Sequence, residues 1–119
     1  MAELKLLVAG GRDFDDYAML CKTLWNFANA TDDEVSIVSG MARGADSLAV
    51  EWAKENNVEL YEFPANWNQY GKRAGFIRNE EMGKFTDMAL IFWDGQSRGT
   101  KHMLEYMHQL NKPVHLVMY

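Results

Sequence analysis

The sequence predicts a three-layer α/β fold, with helices on both faces of a five-stranded parallel sheet in the order 3-2-1-4-5. Three observations predict it. Short apolar runs alternate with segments of helical spacing along the chain, as successive βαβ units require. The first, second and fourth runs are apolar enough for a sheet interior, whereas the third and fifth are only partly apolar and suit its edges. Glycine-rich loops follow the first, second and fourth runs, and this strand order gathers them where the chain reverses direction, the place where open α/β sheets bind ligands.

The first strand runs from Leu4 to Ala9 and ends at Gly10-Gly11-Arg12-Asp13-Phe14. Tyr17, Leu20, Cys21, Leu24, Phe27 and Ala28 then recur at helical spacing, with Asp15 and Asp16 in the first turn, where the helix dipole favours carboxylates. Cys21 takes a core position of that helix and reads as a buried thiol. After the polar break Asn29 to Asp33, a second strand, Glu34 to Val38, leads into Ser39-Gly40-Met41-Ala42-Arg43-Gly44-Ala45-Asp46. Ala45, Leu48, Ala49, Trp52 and Ala53 carry the second helix to Asn56-Asn57, which places Trp52 in the core. Val58 to Phe63 is an edge strand stopped by Pro64.

From Ala65 to Gly75 the chain reads as irregular, and a connection holding Trp67, Tyr70, Lys72 and Arg73 is longer than closure needs, which suggests a binding loop or flap. A helix from Ala74 or Gly75 to Lys84 carries Arg78 and Asn79 in its first half. Asp87 to Trp93 is a strand buried on both faces, followed by Asp94-Gly95-Gln96-Ser97-Arg98-Gly99-Thr100. The last helix, to about Leu110, turns Met103, Leu104, Met107 and Leu110 inward, and Pro113 opens the final edge strand.

Composition narrows the function classes. At 119 residues the chain reads as one domain, 1–119, with 48% apolar residues to build a core. No apolar run nears the roughly 20 residues of a membrane span, and no secretory leader pattern opens the chain. Cys21 is alone, so no internal disulfide forms, and a cytoplasmic location follows. The formal charge of −5 argues against a duplex nucleic-acid partner. It also counts against a single-stranded one stacking on Trp67 and Tyr70. Gly10-Gly11-Arg12 lacks the G-x-G-x-x-G spacing, no Walker lysine follows a glycine loop, and no serine sits in a recognisable elbow. His102, His108 and His115 lack ligand spacing. Neither a metal nor a bound cofactor is expected.

What remains is a site for a small anion. All five arginines (Arg12, Arg43, Arg73, Arg78 and Arg98) fall in or beside loops or helix starts, and arginine suits bidentate phosphate recognition. In Ser39–Asp46, Gly40 and Gly44 let a ligand approach the backbone, Arg43 offers a planar cation, and the following helix aims its free N–H groups at the turn. Gly10, Gly11 and Arg12 form a companion loop. Gly95, Ser97, Arg98, Gly99 and Thr100 form a phosphate cradle at a helix start, although Thr100 could equally cap that helix. Asp46 and Asp94 are the carboxylates placed to hold ribose hydroxyls or to position arginines, with Asp13 a weaker third.

Gly10-Gly-Arg-Asp-Phe14, Ser39-Gly-Met-Ala-Arg-Gly-Ala-Asp46, Arg78-Asn79 and Asp94-Gly-Gln-Ser-Arg-Gly-Thr100, in that order, resemble the SLOG superfamily, and within it the small YspA-type proteins of bacteria and phages. The resemblance implies a Rossmann-like fold that binds nucleotides or nucleotide-derived ligands such as ADP-ribose or NAD-related molecules, and it implies a homo-oligomer. Relatives include the DprA proteins and the LOG-type phosphoribohydrolases. LOG enzymes carry Pro-Gly-Gly-x-Gly-Thr-x-x-Glu; here Asp94 replaces the proline, Ser97 stands where a glycine would lie, and Met103 stands where the glutamate would be. Glu105, two residues further, is turned roughly 200° around the helix. The phosphate-binding part of the motif is kept without its catalytic glutamate. Binding or sensing of a nucleotide-derived small molecule is therefore expected, and the alternative is an N-glycosidic hydrolase or transferase on nucleotides. For that alternative no single catalytic carboxylate stands out among Asp13, Glu80, Asp46 and Asp94.

Overall fold

The computed structural model describes residues 2–119. Strands β1 (Glu3–Gly10), β2 (Glu34–Ser39), β3 (Leu60–Glu62), β4 (Met88–Trp93) and β5 (Val114–Met118) form one sheet in the order β3-β2-β1-β4-β5. Every pairing is parallel: Leu6 of β1 lies opposite Ile37 of β2 on one side and Met88 of β4 on the other. The fold is thus α/β and Rossmann-like, as the alternation of apolar runs predicts. It follows from strand period: successive residues of β1 point to opposite faces, and each face finds its own layer of helices.

Leu6, Val8, Ile37, Leu90 and Phe92 pack against α1 (Tyr17–Ala30) and α2 (Ala45–Glu55) through Leu20, Leu24, Ala49 and Trp52. Leu7, Ala9, Val38, Ala89 and Ile91 pack against α4 (Ala74–Phe85) and α5 (Arg98–Gln109) through Met82, Met103 and Met107. The edges differ from the interior as their sequences suggest. β3 is three residues long, shorter than the 58–63 run, and both β3 and β5 are only partly buried.

Local details depart from expectation in three places. Asp15 and Asp16 precede α1 instead of lying in its first turn, and Asp16 is its N-cap, accepting the Met19 N–H at 3.1 Å. A short polar side chain satisfies an orphan N–H better from the cap position than from within the turn. Cys21 is half-buried. The 65–75 segment is ordered rather than irregular, because Asn66 caps a helical turn, α3 (Trp67–Tyr70), by accepting the Gln69 N–H at 3.1 Å. A 3₁₀ turn at Gly71–Arg73 then runs directly into α4.

The carboxyl ends of β1, β2 and β4 come together at Gly10, Ser39 and Trp93. The loop after β1 rests on the start of α2: the Gly11 carbonyl accepts the Ala45 N–H at 3.3 Å. Gly44, at φ 78°, lies so close that a Cβ there would overlap the Gly11 carbonyl. Gly44→Ala is therefore expected to destabilise the chain by about 2 kcal/mol or more in chemical denaturation, combining a left-handed backbone with a steric clash. Gly99→Ala, facing open space in the first turn of α5, should change stability by less than about 0.5 kcal/mol in the same measurement.

Candidate functional site

A cleft of about 480 Å³ opens beyond the carboxyl ends of β1 and β4. Its floor is apolar, made of Ala9 at the end of β1, Met82 of α4 and Met103 of α5. The polar groups stand on the walls. Gly10, Gly11, Arg12 and Asp13 come from the β1–α1 loop, Ala42 and Asp46 from the β2–α2 connection, Arg78 and Asn79 from α4, and Asp94, Ser97, Gly99 and Thr100 from the turn into α5. Eleven of the loop and helix-start residues singled out in the sequence share this wall: Gly10, Gly11, Arg12, Asp13, Asp46, Arg78, Asn79, Asp94, Ser97, Gly99 and Thr100.

Asp46 is the electrostatic centre of the cleft. It occupies the second position of α2, is 5% exposed, and takes the Ala42 N–H at 3.3 Å on Oδ2. Burial raises its carboxyl to about 6, against the opposing pull of the Ala42 N–H, the Arg78 guanidinium, the Gly10 N–H and the Arg12 guanidinium. Arg78, half-buried, donates Nη1 to the Gly40 carbonyl and Nε to Asn79 Oδ1 at 3.1 Å. Burial lowers the Arg78 pKa, nearby Asp46 raises it, and the like charge of Arg12 lowers it again. Two guanidiniums thus stand close enough to repel one another beside one buried carboxyl.

Asn79, 6% exposed, is the tie between α4 and α5. Its Nδ2 donates to the Gly99 carbonyl at 3.2 Å and lies 3.2 Å from His102 Nδ1. At the start of α5, Asp94 Oδ1 accepts the Gln96 N–H at 2.8 Å and the Ser97 N–H at 2.9 Å, which together hold its carboxyl below the usual range, Ser97 contributing most. Ser97 is the helix cap, its Oγ accepting the Thr100 N–H at 3.4 Å. The capping role considered for Thr100 therefore belongs to Ser97, and Thr100 is left buried on the cleft wall.

The Ser39–Asp46 loop meets the cleft differently from an open ring of donors. The first N–H of α2 is taken by Gly11, and Ser39 Oγ is engaged within the loop, donating to the Asp46 carbonyl at 3.1 Å and accepting the Met41 N–H at 3.2 Å. What the loop shows the cleft is the Asp46 carboxyl. Ser39 and Gly44 build the loop; Gly40 and Arg43 line a smaller neighbouring cavity; Gly95 takes the φ 84° position of its turn; and Arg98 is exposed outside the cleft. Glu105 is exposed on α5, and Glu80 lies outside the wall, 4.0 Å from His102 Nε2.

Trp67 and Lys72 of the 65–75 segment, read in the sequence as a binding loop or flap, also reach the wall, and Phe76 joins them without having been singled out. Trp67 of α3, Lys72 and Phe76 close the side facing α4, with Trp67 52% and Phe76 46% exposed. The excess length and aromatic-basic content of the 65–75 segment signalled Trp67 and Lys72, whereas Phe76 had no local signal because it sits within helical periodicity. Tyr119 is a further addition: its hydroxyl donates to Asp13 at 2.6 Å above Gly11, and burial together with Asp13 raises its pKa.

Residues 4–70 match the model of the YspA, cpYpsA-related SLOG family. The chain belongs to this family. The matched part of this SLOG protein holds the β1–α1 loop, the β2–α2 loop and α3, while the turn from Asp94 to Thr100 lies beyond it. The chain is also similar to the Gene 61 protein of Mycobacterium phage D29, at 32% identity over 116 residues that cover 92% of this chain and 93% of that protein. No solved structure matches it. Membership of the family points to nucleotide-related binding or processing. Among the described residues no helix is long and apolar enough to cross a membrane.

The Asp46 environment gives a signed pH dependence. Its folded value of about 6 lies above the ordinary 3.8, so the associated stability is fully present below about pH 4 and is lost as pH rises through about 6. Asp46→Asn, which keeps an oxygen acceptor for the Ala42 N–H, should remove that loss. Denaturation midpoints taken from pH 4 to pH 8 should fall less steeply in the variant, by on the order of 2–3 kcal/mol across the range.

Proposed function

We propose that the cleft binds a nucleotide-derived small molecule, an ADP-ribose- or NAD-related compound or a nucleoside phosphate. The observation that carries the reading is the convergence, on one cleft of about 480 Å³, of cations, carboxylates and aromatic rings from separate loops. That volume lies in the range of small-molecule sites. Arg12, Arg78 and Lys72 supply positive charge for phosphate, and Ser97, Gly99 and Thr100 form the N-terminal end of α5, whose dipole favours an anion. Asp46 and Asp94 suit ribose hydroxyls, and the exposed rings of Trp67 and Phe76 offer stacking surfaces for a base. Membership of the SLOG family supports the same class of ligand.

Thermal shift with ADP-ribose, NAD and AMP tests this reading. A ligand at 100 times its dissociation constant is expected to stabilise the protein by about 2.7 kcal/mol. Arg12→Ala should abolish most of the shift, and Arg98→Ala, outside the cleft, should preserve it. The absence of any shift with all three compounds would count against the reading.

Asp46 favours one second reading, cleavage or transfer at the N-glycosidic bond. A carboxyl titrating at about 6 on a cleft wall is matched to general acid–base work near neutral pH. Incubation with AMP or NAD followed by chromatography should then release free base, at a rate cut at least about 100-fold in Asp46→Asn. Recovery of the intact nucleotide leaves the protein as a binder.

A further inference from the structure

We infer that the smaller cavity beside the cleft is a second anion subsite, so that the ligand is a nucleoside carrying a phosphoanhydride chain of two or more phosphates, free or pyrophosphate-linked. This rests on the proposed reading of the main cleft and narrows its ligand class.

The cavity measures about 300 Å³ and lies between the β1–α1 loop, the β2–α2 loop and the segment entering α3. Arg12, Ala42, Trp67 and Arg78 wall both spaces, so the two meet along a ridge carrying two guanidiniums. Cations line both spaces, Lys72 standing on the cleft side with the shared Arg12 and Arg78, but carboxylates line only one of them. The main cleft holds Asp13, Asp46 and Asp94, groups suited to hydroxyls, while the smaller cavity has three arginines on its wall, Arg12, Arg43 and Arg78, and no carboxylate.

Nothing within the described residues neutralises those arginines by direct contact. The single ion pair found there joins His102 to Glu80. Arg78 uses Nη1 and Nε on Gly40 and Asn79, both neutral partners. Of the charges near Arg78, the Asp46 carboxylate acts more strongly and attracts, and Arg12 acts more weakly and repels. An anion on the ridge would relieve that repulsion, and a second anion beyond it would reach Arg43. A monophosphate bound with its ribose against Asp46 can occupy the ridge alone. A diphosphate places its second phosphate on the side of the ridge where Arg43 stands.

Isothermal titration with AMP, ADP and inorganic pyrophosphate, on the wild-type chain and on Arg43→Ala, tests the inference. Arg43 is exposed and lies outside the core, so the variant should fold. ADP is expected to bind about ten-fold or more tightly than AMP, one charge-assisted contact being sufficient for that ratio. Arg43→Ala should erase the advantage while leaving AMP affinity unchanged. Equal affinities for AMP and ADP, or an Arg43→Ala variant that keeps the full ADP advantage, would overturn the second subsite and leave the nucleotide reading of the main cleft standing. Pyrophosphate binding that requires Arg43, without binding of either nucleotide, would support the subsite and overturn the nucleotide reading. Binding of none of the three overturns both.

Discussion

The site depends on one close approach, between the backbone of the β1–α1 loop and the first turn of α2. The Gly11 carbonyl takes the Ala45 N–H at 3.3 Å, Gly44 lies flat against Gly11 and Arg12, and Gly10 is pressed between Phe92 and Ala45. None of these glycines has room for a Cβ. Because the chains meet there without intervening side chains, Asp46 sits against the Gly10 backbone and Arg12 comes within electrostatic reach of Arg78. A bulkier residue at Gly44 would part the loops and disperse the charged groups that the cleft assembles.

That proximity also explains how an acidic chain, at −5, holds a locally positive ridge. Most carboxylates lie on exposed faces, where water screens them, while buried Asp46 and half-buried Arg78 share a corner in which charges act more strongly on one another, with exposed Arg12 at its rim. Asp46 takes N–H groups that would otherwise favour an anion from solution, and the helix dipole of α2 is spent on the protein's own carboxyl. At α5 the balance is different. Asp94 and Ser97 organise the turn, and the exposed Gly99 leaves space in front of the helix end.

The strand order was legible because polarity and loop chemistry point to the same arrangement. Buried β4 and half-wet β5 could be told apart from composition alone, and glycine loops after β1, β2 and β4 required those strands to be neighbours. The 65–75 segment was legible only in part. Its aromatic and basic content marked it as unusual, but the capping of α3 by Asn66 and the 3₁₀ turn at Gly71–Arg73 depend on local hydrogen bonds that periodicity does not register. The same blindness applied to Asp15 and Asp16, since a cap and a first-turn residue differ by one position.

The sequence by itself determined the α/β class, the sheet order, the resemblance to the SLOG superfamily and the set of loops that face one another, because hydrophobic period and glycine placement are local properties with few global solutions. Tertiary structure decided which atoms those loops present. Gly11 filling the start of α2, Asp46 turned toward the cleft, Arg43 placed in a separate cavity and Tyr119 laid over Gly11 all arise from contacts between residues distant in the chain. Such contacts are set by packing geometry, and no spacing rule along one segment encodes them.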